Sequence, residues 1–170
     1  MNSSSMPARP LVHSVMAAAV ALVAVLGLSA VAAPAQAAAG ASSRVMSMSS
    51  ERYEQKVQLF INKQRAKRGL SRLSIESCTD GTAERWANKL ATSNAFYHQS
   101  MGNILTTCRA YYAGETLGKG AISPHRLVSM WMHSPAHRHV LLSKHAKRIG
   151  VGAFVDSSGS WVTAANFTKF

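Results

Sequence analysis

Ile149-Gly150-Val151-Gly152-Ala153-Phe154-Val155 is followed by Asp156-Ser157-Ser158-Gly159 and then by a second, largely apolar stretch over residues 160–167. The outer segments read as strands and the middle one as turn chemistry, so the three together predict a C-terminal β-hairpin. Upstream, Ser134-Pro135 and Ser123-Pro124 each place a capping hydroxyl before a proline, the signature of a helix start. Residues 137–142 are expected as a short helix. The helix after Ser123 would bury Leu127, Val128, Met130 and Trp131. Residues 113–120, with glycines near both ends, read as a strand, and residues 96–112 show no period and read as a loop.

Two longer helices are expected in the first half. Ser49 or Ser50 caps the first, with Glu51 and Glu54 near its positive end. Tyr53, Val57, Phe60 and Ile61 make its apolar face. Lys63, Arg65, Lys67 and Arg68 load the turns where cations are favoured, and Gly69 stops it. A short connection with Leu73 and Ile75 turned inward leads to a second helix over residues 79–94, with a stripe of Ala83, Trp86, Ala87, Leu90 and Ala91. Helices, a strand, helices and a hairpin predict an α+β layered domain.

The chain has 170 residues and a formal net charge of +12. Residues 1–14 are polar with Arg9, residues 15–33 are mostly Ala, Val and Leu, and Pro34-Ala35-Gln36-Ala37 ends in an A-x-A pattern. This order describes a secretory signal peptide over residues 1–37; the alternative is an uncleaved anchor. Residues 38–50 read as a flexible linker, which leaves residues 51–170 as one domain with no membrane span after cleavage. The expected location is extracellular. There an even pair of cysteines, Cys78 and Cys108, is expected to bridge; a free thiol is the competing reading. The basic balance draws the protein toward anionic wall polymer or lipid, or serves only solubility. No nucleic-acid motif accompanies it, so no specific nucleic acid is expected. A monomer is expected.

Three segments carry the chemistry: Phe96-Tyr97-His98-Gln99-Ser100, Gly114-Glu115-Thr116-Leu117, and Trp131-Met132-His133-Ser134-Pro135-Ala136-His137-Arg138. Their order, with Ile149-Gly150-Val151-Gly152 and the final Trp161…Phe167 strand, resembles the bacterial branch of the CAP family, which unites cysteine-rich secretory, antigen 5 and pathogenesis-related proteins. The resemblance implies an α-β-α sandwich with a small antiparallel sheet between helical layers. It also implies a cleft where His98, Glu115 and His137 meet, with Ser134 nearby. Thr116 stands where the family has Asn, and Ser134 where the eukaryotic pattern has a second acid. Some members bind Zn²⁺ in the cleft, and two imidazoles with one carboxylate match a three-ligand zinc set. Sterol and fatty-acid binding occur in the wider family.

Two functions follow as expectations. One is a binding module for a small apolar ligand or a wall or host component. The other is a metal-dependent hydrolase using the same cleft. No acid is evident to orient a Ser–His pair, which argues against a serine hydrolase. For Glu115, His98 and His137 the competing reading is purely structural, and Ser134 reads as a helix cap before it reads as a nucleophile. His125, His133, His139 and His145 lie among Arg138, Lys144, Lys147 and Arg148 and read as a solvated basic face.

Overall fold

A computed structural model describes residues 47–170. The leader expected on residues 1–37, and the linker up to residue 46, lie outside the described residues. Nine elements follow in order: α1 (Ser50–Ala66), β1 (Ser74–Ile75), α2 (Ser77–Ser93), α3 (Met101–Cys108), β2 (Tyr112–Gly120), α4 (Pro124–His133), α5 (Pro135–Leu141), β3 (Arg148–Val155) and β4 (Trp161–Lys169). The strands form one sheet in the order β1-β3-β4-β2. β4 pairs antiparallel with both β3 and β2, and β1 adds a two-residue parallel pair to β3. The sheet is therefore mixed, by one very short strand that residues 70–75 do not announce.

Strand alternation divides the core in two. Ile149, Val151, Ala153, Trp161, Ala165 and Phe167 face α1, α4 and α5, where Tyr53, Val57, Ile61, Leu127, Val128 and Trp131 complete the larger cluster. Leu117, Val162 and Ala164 face the other way onto Ala87, Leu90 and Ala91 of α2. This is the expected α-β-α sandwich. Tyr53 fastens α1 to the sheet: its ring stacks on Trp161 with centroids 4.4 Å apart, and its hydroxyl donates to the Ile122 carbonyl.

Ser49 and Ser123 cap α1 and α4 as expected, each accepting a backbone N–H through its side chain, and Ser100 and Glu76 do the same for α3 and α2. Four expectations change. Residues 101–108 form α3 within the stretch read as loop, because eight residues give too few turns for a period to show. Ile75 is exposed, since β1 ends at the sheet's rim, whereas Leu73 is buried. Met132 is buried and Met130 is exposed, which rotates the inner face of α4 from the one read in sequence. Arg65 is not a solvent-facing cation but fully buried.

Cys78, in the first turn of α2, is bridged to Cys108, the last residue of α3. The bridge joins residues 30 apart in sequence, a closure that the chain-entropy model values at roughly 3 to 4 kcal/mol. It ties α3 and the loop before it, which carries His98, to the long helix.

The outer edge of β3 is paired with β1 only at Arg148 and Ile149. Beyond them, the Val151 amide donates to Asp80 Oδ1 at 2.9 Å and the Ala153 amide to Glu54 Oε1 at 2.8 Å. Two carboxylates thus occupy an edge that would otherwise be open. Burial pushes the Glu54 carboxyl up to about 7, with the charges of Glu84 and Asp80 adding to the effect, and burial raises Glu84 as well. A carboxyl raised in the fold holds its proton more tightly there than in the unfolded chain. Its stabilising contribution is complete below the ordinary value of 4.5 and is lost as pH rises through about 7. Melting temperature is expected to fall between about pH 5.5 and about pH 8 more steeply in the wild type than in Glu84→Gln, by a few degrees. Paired thermal melts check this, and equal slopes would remove the Glu54–Glu84 pair as the cause.

Candidate functional site

β2 lies at one end of the sheet, and the candidate site is built across that edge strand. Glu115 sits in β2, on the face turned toward α2, beside its cross-strand partner Asn166. His98 comes from the loop between α2 and α3. His137 comes from α5, in the opposite helical layer. Each layer therefore contributes one imidazole.

Glu115 is held from several directions. His98 Nδ1 lies 2.6 Å from Glu115 Oε1. The Gln99 amide donates to the same oxygen at 3.2 Å, and Gln99 Nε2 donates to Oε2 at 2.6 Å. Both carboxylate oxygens are thus accepting, so His98 Nδ1 is the donor in this contact and Nε2 is the ring nitrogen turned away from Glu115. The Glu115 side chain is 1% exposed and that of His98 58%, so a buried carboxylate aims a solvent-facing imidazole.

The network continues inward. Gln99 Nε2 also reaches Asn166 Oδ1 at 3.3 Å, Asn166 Nδ2 donates to Thr82 Oγ1 at 3.0 Å, and Thr82 Oγ1 donates to the Thr79 carbonyl. The polar chain ends on α2 with its buried members satisfied, which fixes the rotamer of Glu115. Gln99 and Asn166 are site residues that sequence reasoning misses. The available signal is an asparagine inside an otherwise apolar strand, a residue type that strands disfavour.

His137 lies close enough to His98 for their charges to interact. Its pKa is lowered, first by burial and then by His98. A base lowered in the fold stays neutral near pH 7, so His137 presents a lone pair, not a charge. Ser134 occupies the turn between α4 and α5. It is the N-cap residue of α5 by position, but its side chain makes no capping bond. Thr116 follows Glu115 in β2 and so points to the other face of the sheet, where it is buried. Phe96 and Tyr97, beside His98, are 50% and 47% exposed. The Tyr97 carbonyl accepts from Trp86 Nε1, and the two rings meet edge-on.

Among the described residues no group of three or more His, Cys, Asp or Glu side chains is arranged to hold a metal ion. Glu115 has a donor on each oxygen, with His98 and the Gln99 amide on Oε1 and Gln99 Nε2 on Oε2. The carboxylate is placed to orient His98.

Helical layers on both faces of a small sheet, with two imidazoles and an orienting carboxylate across its edge strand, define a CAP-type domain. The model of the cysteine-rich secretory protein family, CAP, matches residues 59–167, and the chain belongs to this family. The uncharacterized protein YkwD of Bacillus subtilis is 33% identical over 116 residues, 64% of this chain and 45% of YkwD. The chain thus matches less than half the length of that relative. Among solved structures, an outer surface protein of Borrelia burgdorferi is 24% identical with a TM-score of 0.59, over 65% of this chain and 89% of that one. An extracellular SCP-domain protein of Bacillus anthracis is 21% identical with a TM-score of 0.63, over 71% of this chain and 41% of that one. At this identity the structural likeness establishes the fold.

Proposed function

We propose that this protein is an exported binding module that holds a small amphipathic ligand at the His98–His137 cleft. Export is supported by the leader read in residues 1–37 and by the descriptions of similar structures as extracellular or outer-surface proteins. The observation that carries the reading is the engaged carboxylate, with His98 and Gln99 donating to its two oxygens. With both oxygens accepting hydrogen bonds, Glu115 is not a free general base, and its work is to present His98 Nε2. The His98 and His137 imidazoles offer ring nitrogens to a polar head group. Exposed Phe96 and Tyr97 offer apolar surface to a tail. A hydrolase would need Glu115 released from Gln99 and His98, which this network opposes.

A fluorescent long-chain carboxylate is expected to bind the wild type. Phe96→Ser/Tyr97→Ser should weaken it about ten-fold, the scale of burying one aromatic side chain in a ligand contact. His137→Ala should weaken it less. Unchanged binding in the aromatic variant would sink the reading. Ester or peptide turnover that disappears in His137→Ala would transfer the site to the hydrolase reading.

A further inference from the structure

α5 has a second working side. Arg138, His139 and the residue after the helix, Leu142, recur at three- and four-residue spacing and line a groove of about 570 Å³. His137 is not among the groove's lining residues. Lys144 and His145, from the segment before β3, and Tyr112, from β2, complete the walls.

The groove is cationic without compensation. No acid lines it. Glu51, Glu54, Glu76, Asp80 and Glu84 all belong to α1, to α2 and to its cap. Glu115 is engaged by His98 and Gln99, and Asp156 is ion-paired to Lys119 at 2.8 Å. Arg138 spends one nitrogen, Nη1, on the Met132 carbonyl at 3.2 Å, and the rest of its fork is free for a ligand. Lys144 is exposed. Like charges gathered in one concavity repel, and an anion in the groove relieves that repulsion.

The groove is also preorganised. The carbonyls of Leu141 and Ser143 are held by the buried Arg65 guanidinium at 2.8 and 3.0 Å, and the His145 amide donates to Ser143 Oγ at 3.2 Å. The Tyr112 and His145 rings lie 5.8 Å apart with planes 31° from parallel, and together they form one wall of the groove. A cationic floor beside a ring-lined wall suits alternating charge and short carbon spacers.

We propose that this groove binds a polyol-phosphate polymer, with Arg138 and Lys144 on successive phosphodiesters and the Tyr112–His145 wall against the polyol carbons. Charge complementarity carries the choice of a polyanion. A lipid surface is disfavoured because the groove's aliphatic lining is confined to Pro135 and the half-buried Leu142, too little for insertion, and a nucleic acid because no row of exposed rings lines it for successive bases.

The test titrates the full chain with poly(glycerol phosphate) at about 150 mM salt, where only locally organised charge survives screening. Arg138→Gln/Lys144→Gln is expected to lose about ten-fold in affinity and to flatten the salt dependence. Lys63→Gln/Lys67→Gln, which removes the same charge from exposed positions at the end of α1, should lose less than about two-fold. Because Arg138 also touches a backbone carbonyl, Lys144→Gln alone is the fold-neutral check and should lose roughly three-fold. Equal losses in the two double variants, or no wild-type binding at this salt, would overturn the proposal. Tighter binding to single-stranded DNA of equal phosphate number, or to phosphatidylglycerol vesicles, would overturn it in favour of those partners. His98→Ala should leave the affinity unchanged, so this result and the fate of the cleft reading are independent.

Discussion

Gly152→Val is expected not to fold, and Gly150→Ala and Gly152→Ala are each expected to lose more than about 3 kcal/mol, a fall in melting temperature of roughly 10 °C or more. Both glycines lie in β3 on the face turned to α2. A Cβ on Gly152 would meet the Ala83 carbonyl oxygen and Glu84 Cα at 2.5 Å, and one on Gly150 would overlap the backbone of Thr79 and Asp80. Main chain cannot rotate away as a side chain can, so the helix would have to lift. Lifting it would also pull Asp80 from the Val151 amide and Thr82 from Asn166. Gly69→Ala is the comparison: its φ is +67° and no atom stands within 4 Å of the added carbon, so only local backbone strain of about 1 kcal/mol is expected. Urea unfolding of the three alanine variants separates close approach from loss of glycine's freedom. Similar small losses at all three positions would show that α2 does not pack on these glycines.

The same motif explains how much of the fold is legible. Ile149-Gly150-Val151-Gly152 is readable as a strand because its β-branched residues alternate with glycines. Why glycine is needed becomes visible only with α2 in place. Elements with a strong local signal, such as the Ser-Pro helix starts and the Asp156–Gly159 turn, form as read. α3 and β1 do not announce themselves, because each is shorter than a period can reveal. In the site, His98, Glu115 and His137 are recoverable from their motifs. The division of labour among them is not. Whether Glu115 serves as a ligand or orients an imidazole depends on Gln99 and Asn166, one next to His98 and one on a distant strand, and no spacing rule joins them. Arg65 is misplaced for a similar reason: a cation at a helix C-terminus is favoured in solvent and in the core alike, and only its partners tell which.

Arg65→Met should cost about 3 to 5 kcal/mol, even though it replaces a charge with an apolar side chain of similar length. The guanidinium is fully buried with no carboxylate beside it. Its counter-charge is a ring of carbonyls: Ser71 at 2.9 Å, Leu141 at 2.8 Å, Ser143 at 3.0 Å and Ala146 at 3.5 Å. Burial lowers its pKa, yet an arginine starts high enough to remain charged. Those carbonyls belong to the end of α5, the segment leading into β3 and the connection after α1, none of which has a strand or helix partner there. Arg65 therefore supplies the hydrogen bonds of irregular chain that passes through the core, and methionine would leave several buried acceptors unpaired at once. Arg65→Lys should recover less than half of the loss, because one ammonium cannot span carbonyls arranged around a planar fork. Urea unfolding gives the energies. Amide exchange over residues 141–147 gives the location, which should lose protection before the sheet does. A Met variant within about 1 kcal/mol of wild type would mean that water or a rearranged segment satisfies the carbonyls. Loss confined to residues 141–147, with the sheet intact, would tie Arg65 to the rigidity of the cationic groove and separate that rigidity from the stability of the sandwich.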